Sequence, residues 1–138
     1  MSRVTPNNIT QLEGDEVFVF GSNEAGRHGK GAAKTAMKWG AVYGQAEGLQ
    51  GNTYAIPIVK FNVKGKLPLI QINRHVKKFI KFAKENKDKK FLVTEIGCGL
   101  AGWEVKNVAP LFEEALNVSN IYLPKRFIEC IINMNTLL

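Results

Sequence analysis

Cysteine is nearly absent from this chain. Its 138 residues include two, Cys98 and Cys130, and neither sits in a spacing that would hold a metal ion. Two isolated thiols suit a reduced compartment, so an intracellular, cytoplasmic protein with no metal and no cofactor is expected. Long apolar runs are also missing. None approaches the roughly 18 residues of a membrane span, so no membrane partner is expected. The opening MSRVTPNNIT has no apolar core and does not read as a secretory signal. Acidic residues are in the minority, 12 against 19 lysines and arginines, for a net charge of +7. That balance points to anionic partners: nucleic acid, phosphorylated metabolites or other acidic surfaces.

What is abundant is glycine, and it is concentrated. Val17 to Phe20 (VFVF) has high strand propensity and runs into a loop holding Gly21, Gly26, Gly29 and Gly31. Ala32, Ala33, Lys34, Ala36 and Met37 then open a helix. A strand, a glycine loop and a helix start together present free backbone N–H groups to an anion. A plain strand-to-helix turn is the blander reading, but four glycines in this stretch exceed what a turn needs. Neither common phosphate loop is present. Gly29-Lys30 is followed by Gly31 where a Walker A loop needs Ser or Thr. Ser22, Asn23, Glu24 and Ala25 separate the first two glycines, where the dinucleotide fingerprint is tight. The loop predicts a polyanion near a helix start without specifying which.

Along the chain, Ile9 and Leu12 are expected to pack at a sheet edge. Gly14-Asp15 turns into the first core strand, Val17–Phe20, which is apolar on both faces and so expected to be covered on both. Gly31–Trp39 reads as a helix closed by Gly40. The segment EGLQGN reads as a connection. Thr53–Ile58 reads as a strand, with Pro57 tolerated at an edge, an end or a bulge. Ile70–Lys84 is a helix burying Ile72, Val76, Phe79, Ile80 and Ala83. Lys77, Lys78, Lys81 and Lys84 lie mostly off that face, as a solvated surface rather than a nucleic-acid face. Phe91–Ile96 is a third strand and leads to a second glycine loop at Gly97, Gly99 and Gly102. Val105–Leu116 is a helix, Ile121–Leu123 a short strand ended by Pro124, and Phe127–Ile132 a final strand.

Strands alternating with helices predict one α/β domain over residues 1–138, with helices on both faces of a mixed, largely parallel sheet. Ligands of such sheets bind beyond the C-terminal strand ends, where both glycine loops lie. Two loops at one sheet edge could clamp a diphosphate.

These residues together resemble a macrodomain, the ADP-ribose-binding fold, from Asn8 to about Leu123. Asn8-Ile9-Thr10 followed by Val17–Asn23 resembles the family's Asp-Ile-Thr and its strand ending in Asn. Gly29–Ala33 resembles its first glycine loop, and Glu47–Ile58 its approach to the middle strand. Glu95–Trp103 (EIGCGLAGW) resembles the loop that wraps the diphosphate and distal ribose. Ile96–Leu100, with Asn107-Val108 downstream, is most similar to the terminal ADP-ribose–protein glycohydrolases. The resemblance implies a three-layer α/β/α sandwich that binds ADP-ribose or a related small phosphorylated ligand. It implies a binding set of Asn8, Gly21, Ser22, Asn23, Arg27, Gly29, Gly31, Ala32, Gly97, Cys98, Gly99, Leu100, Ala101, Gly102 and Trp103, with Asn23 near the distal ribose. Tyr54 is either a site wall or, more plainly, core.

The sequence departs from that family at three positions. Asn8 replaces the adenine-reading Asp. Ala101 stands where the glycohydrolases carry an acid. Lys60 is the nearest match to their lysine after the middle strand. Hydrolysis of ADP-ribosyl-protein or ADP-ribose phosphate would therefore recruit His28, Lys60, Glu24 or Glu104. His28 is the first choice, since imidazole exchanges protons near neutrality. It could equally order Arg27 or contact a phosphate. Cys98, small and between two glycines, reads as packing rather than a nucleophile. The alternative function is a basic module binding nucleic acid or a nucleotide polymer without catalysis.

Overall fold

A computed structural model describes residues 3–60, 66–98 and 102–136, apart from the side chain of Thr136. Its elements in order are β1 (Glu16–Asn23), α1 (Gly31–Ala36) with a 3-10 turn Met37–Trp39, β2 (Gly48–Gln50), β3 (Thr53–Val59), α2 (Leu69–Glu85), β4 (Lys90–Val93), α3 (Val105–Val108) continued by a 3-10 helix Ala109–Asn117, β5 (Ile121–Tyr122) and α4 (Lys125–Thr136). The five strands form one sheet in the order β2-β3-β1-β4-β5. All neighbouring pairs are parallel except β2 with β3. Among the described residues no helix is long and apolar enough to cross a membrane.

The central strand shows why the sheet is covered on both sides. Successive side chains of a strand point to opposite faces. Val17 and Val19 join a large apolar cluster with α2, α3, the 3-10 helix and α4. Phe18 and Phe20 join a smaller one with Ala33 and Ala36 of α1, against which Ile9, Leu12 and Trp39 pack. The result is a three-layer α/β/α sandwich. In α2, Ile72, Val76, Phe79, Ile80 and Ala83 are buried, the five residues the helical period selected. Pro57 sits where the β1–β3 register shifts: Ser22 faces Pro57 and Asn23 faces Val59. A residue without an N–H is accommodated at such an irregularity.

The third strand ends at Val93 rather than Ile96, and the Gly31–Trp39 helix is α-helical only to Ala36; four further elements differ from the sequence expectation. First, β1 runs three residues past Phe20, through Gly21, Ser22 and Asn23. Pairing with β3 continues there, and the space beside Gly21 is filled by the Ile58 side chain, whose Cδ1 would lie 2.5 Å from a Cβ. Second, Gly48–Gln50 is an edge strand rather than a connection, joined to β3 through the two-residue turn Gly51-Asn52. Third, the Val105–Leu116 helix is α-helical only to Val108. Pro110 has no N–H for an α-helical bond, and the chain tightens to 3-10. Fourth, Phe127–Ile132 is helix, not strand, within α4. Phe127 and Ile131, four apart, are both fully buried. The Pro124 carbonyl accepts from the N–H groups of Phe127 and Ile128. The outer edge of β5 is already met by Val4, which bridges Leu123.

Candidate functional site

Strands β1, β3 and β4 all end at one edge of the sheet. Beyond those ends lies a cavity of 560 Å³. Its wall includes Gly21, Ser22 and Asn23 of β1, Ile58 and Val59 of β3, and Thr94 to Gly97 just past β4. The opposite wall is the loop into α1, with Arg27, Gly29, Lys30, Gly31 and Ala32. A second cavity of 340 Å³ adjoins it and is lined by Thr5 to Ile9, Phe18, Thr35 and Pro124 among others. Ala32, Thr94 and Glu95 lie on both walls and form the junction.

Local bonding sets the shape of the larger cavity. The Asn23 side chain braces the loop: its Oδ1 accepts from Arg27 N–H at 2.9 Å and its Nδ2 donates to Arg27 C=O at 3.0 Å. The Ser22 hydroxyl donates to the Ala46 carbonyl. The Gly44 N–H donates to Gly26 C=O at 2.8 Å and ties the loop to the following connection. Gly31 (φ +58°) and Gly97 (φ +79°) take the left-handed conformation that a Cβ would penalise. The Trp103 N–H donates to Gly97 C=O at 2.8 Å, closing the second glycine loop at its base.

The charges are unevenly placed. Arg27 and Lys30 line only the larger cavity. Glu95, at the junction, is held by Arg126 of α4: Nε donates to Oε2 at 2.8 Å and Nη2 to Oε1 at 2.5 Å. That paired guanidinium keeps the Glu95 carboxyl below the usual carboxylate range, so at neutral pH it is an anion that only accepts hydrogen bonds.

Of the expected binding set, Gly21, Ser22, Asn23, Arg27, Gly29, Gly31, Ala32 and Gly97 converge on the larger cavity, and Asn8 lies on the smaller one. Gly99, Leu100 and Ala101 fall outside the described residues. Gly102 (φ +87°), Cys98 and Trp103 are not on either described wall. Trp103 instead packs on the large cluster, its Nε1 donating to Leu67 C=O at 3.2 Å and Lys66 Nζ lying 3.9 Å from its ring centre. Cys98 also packs on that cluster, and burial, with Glu95 nearby, pushes its thiol up to about 11. Tyr54 is core, between Phe79 and Phe82. Burial, assisted by Glu47, pushes its hydroxyl up to about 12.

The expected catalytic residues do not gather at the cavity. His28 is 2% exposed and turned away from it, against the ring of Phe20 at 5.2 Å. Its Nε2 lies 3.1 Å from Gln50 Oε1. That oxygen can only accept, so Nε2 carries the proton and donates, while Nδ1 has no partner among the described residues. Gln50 Oε1 also accepts from Val42 N–H at 2.7 Å. The imidazole covers Phe20 and joins the loop to β2, which corrects its expected place in the site. Lys60 and Glu24 are exposed and off both walls. Glu104 forms a capping box with Asn107 at the start of α3. Lys30, Thr94 and Arg126 carry no signal in the sequence reading, and Glu95 enters it only as the first residue of the Glu95–Trp103 stretch, without a role of its own. The sequence expectation puts Thr94 and Glu95 inside the third strand; β4 ends at Val93, and they lie just past it, where a central parallel strand offers a binding position.

No protein-family model matches the chain, and no curated protein matches it. A solved structure of a protein of unknown function from Bacteroides thetaiotaomicron is similar, with a TM-score of 0.60 and 16% identity over 83% of this chain and 88% of that one. This likeness is one of fold.

Proposed function

We propose that the chain binds ADP-ribose or a closely related nucleotide derivative across the two adjoining cavities, as a macrodomain does. One observation carries the reading. The larger cavity lies beyond the C-terminal ends of three adjacent parallel strands, faced by glycine backbone and by Arg27 and Lys30. Glycine loops let a phosphate approach bare N–H groups, and the cations offset its charge. Its volume is in the range of small-molecule sites, and the smaller extension, lined past the Glu95 junction by neutral side chains including Asn7 and Asn8, suits a nucleobase.

Binding without turnover is the primary form of this proposal. Hydrolysis of ADP-ribosyl-protein or ADP-ribose phosphate needs a proton donor or acceptor at the cavity. Among the described wall residues of the larger cavity the titratable groups are Arg27, Lys30 and Glu95, and Glu95 is kept ionised by Arg126. Thermal unfolding with and without ligand tests the proposal. At a ligand concentration of about 100 times Kd, binding adds roughly 2.7 kcal/mol of stability, and the midpoint rises accordingly. No shift with ADP-ribose, together with steeply salt-dependent retention of single-stranded nucleic acid, would favour the polymer-binding alternative. Release of ADP-ribose from modified protein, or of phosphate from ADP-ribose phosphate, would add catalysis.

A further inference from the structure

Resting on the reading above, we infer that Glu95 reads the hydroxyls of the nucleoside ribose, so that the site selects a ribonucleotide with a free 2′,3′-diol. Glu95 lies on both cavity walls, so a ligand reaching from one cavity into the other passes this residue. The other two junction residues offer little competition. Ala32 has no polar side-chain atom, and the Thr94 hydroxyl already donates to Val19 C=O at 2.8 Å.

The hydrogen-bond arithmetic then limits what can sit there. A carboxylate has about four acceptor positions. Arg126 takes one on each oxygen, which leaves one on each. Arg126 also keeps the group ionised. Its remaining partners must therefore be donors, and two adjacent hydroxyls match two adjacent oxygens. A phosphate offers no proton at neutral pH and is repelled.

The charge pattern orients the rest of the ligand. The cations Arg27 and Lys30 line the larger cavity alone and would take the anionic end. The smaller cavity is lined by Asn7, Asn8 and Thr5, whose neutral polar side chains suit a polar, uncharged ligand end. The hydroxyl-bearing middle falls at Glu95.

The test is calorimetric titration of the wild-type chain with ADP-ribose, its adenosine 2′-deoxy analogue and its adenosine 2′-phosphate analogue. The expected result is affinity about tenfold or more weaker for both analogues, the scale of one charge-assisted hydrogen bond. Glu95→Gln should narrow both penalties, since an amide can accept from a hydroxyl and no longer repels phosphate. The wild-type series stands even if that variant fails to fold. Equal affinity for all three ligands overturns this inference and leaves ADP-ribose binding intact. Binding of none overturns both.

Discussion

Gly26 and Gly29 lie three residues apart in the same loop, yet alanine should act on them very differently. Gly26 has φ +70°, and a Cβ there would lie 2.5 Å from Gly44 C, 2.7 Å from Gln45 N and 2.9 Å from Gln45 C. These are backbone atoms, so no rotamer change relieves the collision. Forcing a Cβ into the left-handed region costs about 1–2 kcal/mol, and overpacking a filled space typically costs a further ~1–3 kcal/mol. Gly26→Ala should therefore lose roughly 2–5 kcal/mol, a large part of an ordinary domain's stability. For a chain of this size that is a drop in melting temperature of roughly 8–20 °C. Gly29 has no atom within 4 Å of its would-be Cβ, so Gly29→Ala should stay within about 0.5 kcal/mol of wild type. Thermal melts followed by circular dichroism, with urea denaturation to check that the m-value is unchanged, give both numbers. Equal stability of the two variants would refute the clasp between Gly26 and the 44–45 backbone.

Gly29→Val places a side chain on the cavity wall without a steric conflict in the fold, so ADP-ribose affinity should fall at least tenfold while the melting temperature holds; calorimetry beside a melt reads both. Because Arg126 lowers the folded-state pKa of Glu95, their pairing contributes stability above the unfolded carboxyl value of about 4.3 and loses it as pH falls through the lowered folded value. The gap in melting temperature between wild type and Arg126→Gln should be open at neutral pH and close in acid; a gap that widens in acid contradicts the pairing. Changing Lys77, Lys81 and Lys84 to Gln should leave ADP-ribose affinity unchanged and stability within about 1 kcal/mol, since the Lys84–Glu114 pair is solvent-exposed. A large loss of nucleic-acid retention at near-physiological salt would instead mark α2 as a nucleic-acid face.

The sequence carried the layers of this fold well, because hydrophobic period is a local signal. The five buried residues of α2 and the doubly covered VFVF strand could be read directly. Misreadings arose where a neighbour in space decides. Phe127–Ile132 has apolar residues compatible with either period, and only the filled edge of β5 and the Pro124 carbonyl make it helical. The strand Gly48–Gln50 is short, but Gly51-Asn52 is a two-residue turn of the hairpin kind and could have revealed it. Glycine density pointed to loops whose residues line the candidate cavity. It did not reveal the pairing of Glu95 with Arg126, 31 residues away, because an ion pair between a strand end and a distant helix has no sequence spacing. His28 was misplaced for a related reason: a loop imidazole can face a ligand or fold back on Phe20, and Gln50 on β2 decides.

The most direct measurement is calorimetric titration of the wild-type chain with ADP-ribose at moderate salt. The account predicts saturable binding at one site per chain, with an affinity that changes little as salt is raised. No heat with ADP-ribose under conditions where single-stranded nucleic acid binds, and binds more weakly with each increase in salt, would contradict it.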